Sequence, residues 1–110
     1  MGENKQFLSM HYSDERDIGT LEPQMTLLYQ DQKSITDFYQ DVYRHLSLIL
    51  DKVSCLDLNE NSLRAMVHTY REKAFDIFIR GLNGDLPRLL SIRKPNSLSQ
   101  ALYVCLKFII

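Results

Sequence analysis

The chain has 110 residues, 45% hydrophobic and 25% charged, with four glycines, three prolines and a formal net charge of −1. That is the composition of one globular domain with a modest core, which excludes a disordered, collagenous or low-complexity chain. The near-neutral balance argues against a nucleic-acid-binding domain, whose basic surface must displace counterions from phosphates. No apolar run approaches the ~18 residues of a membrane span, and the first ten residues lack the basic start and apolar core of a signal sequence. Two cysteines, Cys55 and Cys105, are too few for a disulfide framework or a zinc site. The chain therefore reads as an intracellular, cytoplasmic or nuclear, all-α protein.

In chain order, residues 1–19 carry no sustained apolar period and read as an irregular arm, with the charged residues Asp14, Glu15, Arg16 and Asp17 solvated and Gly19 as a break. A short helix is expected over 21–29, with Leu21, Met25 and Leu28 at helical spacing. Pro23 falls in its first turn, where the missing N–H costs nothing. The next helix carries the strongest signal. Ser34 and Asp37 resemble a capping box, and Ile35, Phe38, Val42, Leu46, Ile49 and Val53 recur every three or four residues, which predicts a helix over 34–54. Residues 55–61 connect it to a second long helix over 60–81, with Asp57 or Asn59 as the N-cap. Leu63, Met66, Val67, Tyr70, Ala74, Ile77 and Phe78 form the inward stripe of that second helix.

Gly81 and Gly84 punctuate its end, where a glycine past the last turn can take the left-handed conformation. Asp85 then caps a short helix over 86–92 with Pro87 in its first turn, ended by Lys94–Pro95. Ser97 and Gln100 form a further capping box, opening a last helix over 98–108. Four to five helices joined by short capped turns make a compact bundle, described as an arm over 1–19 and one helical domain over 20–110.

No constellation of catalytic residues emerges. His11, His45 and His68 have no metal-spaced partner and read as surface histidines. The acidic run Asp14, Glu15 and Asp17 lacks the burial that acid–base catalysis needs. The Gly81–Gly84 stretch lacks the strand and the lysine of a phosphate loop. Arg88, Arg93 and Lys94, with Arg64, Arg71, Lys73 and Arg80 before them, form a weak basic field interleaved with Glu72, Asp76 and Asp85, so nucleic acid is not the expected partner. Cys55 and Cys105 read as small packing residues. No cofactor, metal or membrane is expected, and the chain is read as non-enzymatic.

Apolar surface stands out instead. Phe75, Ile79 and Leu82 form a second stripe on the second long helix, and a helix apolar on two faces is either central or in contact with a partner. Tyr39, Tyr43 and Leu50 flank the stripe of the first long helix, and residues 104–110 are nearly all apolar. A domain of this size is not expected to bury all of these, so self-association is expected.

These residues also carry a resemblance. The stretches 17–22 (DIGTLE), 34–50 (SITDFYQDVYRHLSLIL), 69–90 (TYREKAFDIFIRGLNGDLPRLL) and 98–107 (LSQALYVCLK) are together similar to the Gag polyprotein of insect gypsy-type retrotransposons, collinearly over about residues 12–108. The resemblance implies a capsid C-terminal-like helical bundle that homodimerises in assembling a shell. It implies a dimer contact on the second long helix, hence Phe75 and Ile79, in agreement with the second apolar stripe; Leu82, Arg71, Tyr39 and Tyr43 are the further interface candidates. It also implies a hydrogen-bonded turn ahead of the first long helix, where Gln30 matches the family's glutamine, followed by Ser34 and Asp37. Asp31 stands where the family usually has glycine, and Asp41 falls near its arginine, so only Gln30 is carried over. A complete Gag would add an N-terminal capsid domain and a nucleic-acid-binding tail. The chain is accordingly expected to be an excised domain or a small domesticated host protein, the Met1 start and apolar end favouring a short natural gene or a truncated copy. Its partner would be a second copy of itself or, in the alternative role of adaptor or restriction factor, a full-length Gag or host protein.

Overall fold

The computed structural model describes residues 17–109, among which there are five helices: α1 (Ile18–Thr26), α2 (Ile35–Ser54), α3 (Glu60–Gly81), α4 (Leu86–Arg93) and α5 (Leu98–Ile109). There is no strand among the described residues, and the class is the all-α bundle that the periodicity predicts. The arm expected over 1–19 falls mostly outside the described residues, but its boundary moves. Asp17 is the N-cap of α1, its carboxylate accepting from Thr20 N at 2.9 Å. Gly19 lies inside the helix rather than breaking it. A carboxylate at a helix start satisfies an orphan N–H and meets the positive end of the helix dipole. The same helix ends at Thr26, before Leu28 and Tyr29.

Capping fixes the other starts. Ser34 Oγ accepts from Asp37 N at 3.0 Å, and between Asp57 and Asn59 the structure selects Asn59, whose Oδ1 accepts from Ser62 N at 2.8 Å. Asp85 occupies the cap position of α4 without a side-chain capping bond. At α5, Ser97 Oγ accepts from Gln100 N, while the Gln100 side chain reaches back to Asn96 N at 2.8 Å, one residue beyond a standard capping box. The α3 end falls at Gly81 as expected, and the left-handed glycine is the second of the pair. Gly81 stays helical, Leu82 caps the helix in an extended conformation, and Gly84 is the glycine with positive φ, at 65°. Lys94 ends α4 with φ 51° and donates to Leu90 O at 2.8 Å.

The core lies between α2 and α3. All six residues of the α2 stripe are buried: Ile35, Phe38, Val42, Leu46, Ile49 and Val53. Removing such side chains from water contributes about 1.5–3 kcal/mol each. The Phe38 and Phe78 rings stack with centroids 5.3 Å apart. On α3 only the C-terminal half of the predicted stripe is buried, at Ala74, Ile77 and Phe78, while Leu63, Met66, Val67 and Tyr70 are half-buried against the core. Every other helix touches α3, whereas α1 touches α2 and α3 but neither α4 nor α5. The α2–α3 hairpin thus separates α1 from the α4–α5 pair.

Candidate protein–protein interface

The two apolar faces of α3 resolve toward the first of the two physical alternatives: the helix is central. Leu82 is buried, at 5% exposure, and has no surface to offer a partner. Ile79 is half-buried against the core, as is Phe75. The expectation of an exposed Phe75–Ile79–Leu82 stripe is corrected accordingly, because four helices share the surface of α3 and intramolecular packing consumes most of the second face.

Four of the six predicted interface residues nevertheless meet. Tyr39 and Tyr43, one turn apart on α2, and Arg71 and Phe75, one turn apart on α3, line a surface cleft of about 360 Å³. Leu46, His68 and Glu72 complete its walls, and residues 96–99 at the start of α5 close the third side. Tyr39 is half-buried and packs edge-on against Phe78 at 5.9 Å, while its other neighbour Tyr43 stacks on it at 5.9 Å. Burial, and secondarily Tyr43, pushes the Tyr39 hydroxyl above the usual tyrosine pKa. Tyr43 is half exposed and Arg71 lies at the surface. Aromatic rings with an arginine at the rim are the residue types that anchor protein interfaces.

The predicted turn residues converge on a second feature. Gln30 is the one buried polar residue among those described, at 8% exposure. Its backbone N–H donates to Gly81 O at 2.9 Å, its Nε2 to Lys33 O at 3.1 Å, and its Oε1 accepts from Asn83 N at 3.0 Å. Asn83 Nδ2 in turn donates to Asp31 O at 2.6 Å. The turn before α2 is thereby tied to the segment after α3. Lys33 pairs with Asp41 at 2.7 Å, and Asp41 also holds Arg44 at 2.6 Å, anchoring the same turn to α2. Gly81 permits the junction: a Cβ there would lie 2.6 Å from Phe38 Cζ and 3.1 Å from Tyr29 Cα.

Other side chains depart from the sequence reading. His68 is exposed, but His45 is half-buried, with Nδ1 on Asp41 O at 2.8 Å. Cys55 is exposed in the α2–α3 connection rather than packed, whereas Cys105 is fully buried, which raises its thiol pKa. Glu22 on α1 accepts from the Tyr70 hydroxyl at 3.3 Å and pairs with Lys73, joining α1 to α3. Burial first, and then Glu22, lifts the Tyr70 pKa, with Lys73 opposing. Among the described residues no group of three His, Cys, Asp or Glu side chains could hold a metal ion, and no helix is long and apolar enough to cross a membrane.

Sequence reasoning missed the four most exposed apolar side chains among the described residues: Leu27 and Tyr29 just after α1, Ile92 on α4 and Tyr103 on α5. Leu27 and Tyr29 sit at a helix end, where no periodic signal exists. On α5, Ala101 and Cys105 face inward one turn apart, a spacing that leaves Tyr103, Leu106 and Phe108 outward. No family model matches this chain, and no curated protein or solved structure gives a match.

Proposed function

We propose that the chain is a non-enzymatic, Gag-derived, capsid-C-terminal-like module that associates with itself through the α2–α3 cleft. The observation that carries this reading is the convergence of Tyr39, Tyr43, Arg71 and Phe75 from two helices into one exposed cleft. An aromatic surface with an arginine at its edge is suited to a two-fold contact, in which each copy presents the same patch. The Gag origin draws support from the turn before α2, where a buried glutamine is hydrogen-bonded through backbone and side chain, as the sequence resemblance implies for that position.

The test is light scattering coupled to size exclusion over roughly a hundredfold concentration range. The wild type is expected to reach twice its chain mass of 12.9 kDa and to fall toward one on dilution. Tyr43→Asp combined with Arg71→Glu changes two exposed side chains and should leave a folded monomer. Phe75 is a poorer target, because its ring also packs against the core. A wild type that remains at one chain mass throughout, or a variant that dimerises as well as the wild type, refutes self-association through this cleft.

A further inference from the structure

Two more apolar faces lie outside the cleft, on opposite sides of the α2–α3 hairpin, and they differ in charge. Residues 86–109 contain Arg88, Arg93, Lys94 and Lys107 and no acidic residue. Residues 17–32 contain Asp17, Glu22 and Asp31 and no basic one. Lys33 adjoins this region, and Lys73 and Arg80 of α3 reach it, but each is paired with a carboxylate, Asp41, Glu22 and Asp76 respectively, which leaves Asp17 and Asp31 to make that side net negative.

The most exposed large apolar side chains among the described residues divide between these same two faces. Leu27, at 75%, and Tyr29, at 59%, follow the C-terminal end of α1 on the net-negative side, beside Arg80, which is paired with Asp76, while Ile92, at 70%, and Tyr103, at 62%, stand on the basic side. On the basic side the cations are organised around the rings. The Arg93 guanidinium lies 4.8 Å from the centroid of Phe108, and the Lys107 ammonium 5.2 Å from that of Tyr103. These four residues and Val104 line one shallow groove built from α4 and α5 alone. A cation held over a ring presents apolar area and positive charge together. Exposed aliphatic Ile92 suits a protein partner better than stacked bases, which call for aromatic platforms.

We propose that copies of this chain associate head to tail, the basic aromatic groove of α4 and α5 on one copy receiving Leu27 and Tyr29, just past α1 on the net-negative side, of the next. This rests on the self-association proposed above and adds a second, different contact. Within one chain α1 reaches neither α4 nor α5, so the two faces cannot satisfy each other intramolecularly. A contact between unlike faces propagates into a ring or an open chain, whereas the cleft contact closes on two copies. Together they permit growth beyond a dimer, and opposite charge sets the register and favours the encounter.

Two double variants test it. Arg93→Glu with Lys107→Glu inverts the groove, and Leu27→Lys with Tyr29→Lys inverts the α1 end; all four positions are exposed, and unchanged helical circular dichroism serves as the folding control. At low salt the wild-type mass is expected to pass two chain masses at high concentration, and to fall back in about 0.5 M salt, where exposed charges are screened. Each double variant should weaken this step by at least about tenfold and stop at two chain masses. Mixing the two variants should restore the larger species, since each keeps the face the other has lost. Variants that assemble like the wild type, or a mixture that restores nothing, overturn the head-to-tail contact. A wild type that stops at two chain masses and is split by Tyr43→Asp with Arg71→Glu overturns it while leaving the cleft dimer standing. A wild type at one chain mass throughout overturns both. Binding of a fluorescent single-stranded oligouridine by a wild-type chain that stays monomeric assigns the groove to nucleic acid and likewise overturns the proposal.

Discussion

Replacing Gly81 with alanine is the most demanding test of the packing at the end of α3. An added Cβ would sit 2.6 Å from Phe38 Cζ, 3.1 Å from Tyr29 Cα and 3.2 Å from Leu28 O. Two of these neighbours are backbone, and the third belongs to a fully buried ring stacked on Phe78, so none yields cheaply. Overpacking of this kind costs about 1–3 kcal/mol, against a helix-propensity gain of about 0.5–1 kcal/mol for Gly→Ala. Near the frayed end of a helix the gain is smaller still, leaving a net loss of about 1–2 kcal/mol, or roughly 5–15 °C in Tm for a domain of this size. Thermal and urea unfolding followed by circular dichroism measure it. Gly19→Ala is the matched control: Asp17 Oδ1 lies at an ordinary 3.4 Å and the residue is helical, so stability should rise by about 0.5–1 kcal/mol. Gly84→Ala meets no neighbour, yet it forces a side chain into φ 65° and should cost about 1–2 kcal/mol. A Gly81→Ala chain as stable as the wild type would show that the Phe38–Gly81 approach is looser than described.

Three further outcomes follow from the same physics. Gln30→Ala deletes the amide that bridges Lys33 O and Asn83 N and should destabilise by about 1–3 kcal/mol, with hydrogen exchange rising at the Asn83 N–H. Ser34→Ala and Asn59→Ala each remove a cap and should cost about 1 kcal/mol, additively in urea melts, because the caps share no hydrogen-bond partner. The raised pKa values of Tyr39 and Tyr70 make the protonated hydroxyls part of the folded state. Their contribution is fully present below the ordinary tyrosine value of 10.0 and is lost as pH climbs through the higher folded values. A tyrosinate absorbance titration should therefore show a late-ionising fraction that shrinks in Tyr39→Phe and again in Tyr70→Phe; an unchanged late fraction contradicts the assignment.

The long helices were legible because each carries its own boundary chemistry. Ser34 announces the start of α2 and the pair Asp57 and Asn59 brackets that of α3, and the α2 stripe spans five turns, so the period dominates any local accident. The start of α1 was not, since a nine-residue helix with two buried residues, Leu21 and Met25, gives too short a period. Asp17 also reads equally well as part of a charged run or as a cap. The exposed-stripe reading failed at Leu82, and in part at the half-buried Phe75 and Ile79, for a different reason. Helical spacing tells which residues share a face, but which other helix covers that face depends on the path of the chain after Gly84. Tyr39 and Tyr43 were reached by the same spacing logic, and their meeting with Arg71 and Phe75 depends on the register between α2 and α3, which no single helix encodes. The Gln30 turn was signalled only by resemblance, because its partners Gly81 and Asn83 lie some fifty residues away.

The contrasting surroundings of Cys55 and Cys105 make the chain its own reporter. An aqueous thiol reagent meets Cys55 in the folded state, whereas Cys105 reacts only when α5 lifts from the bundle. Once Cys55 is replaced by serine, the labelling rate becomes a clock for α5 release, read without a spectroscopic probe. Since α5 carries Tyr103 and Lys107, anything that seats on that helix should slow the clock, and anything confined to the opposite side of the hairpin should leave it running at its intrinsic pace.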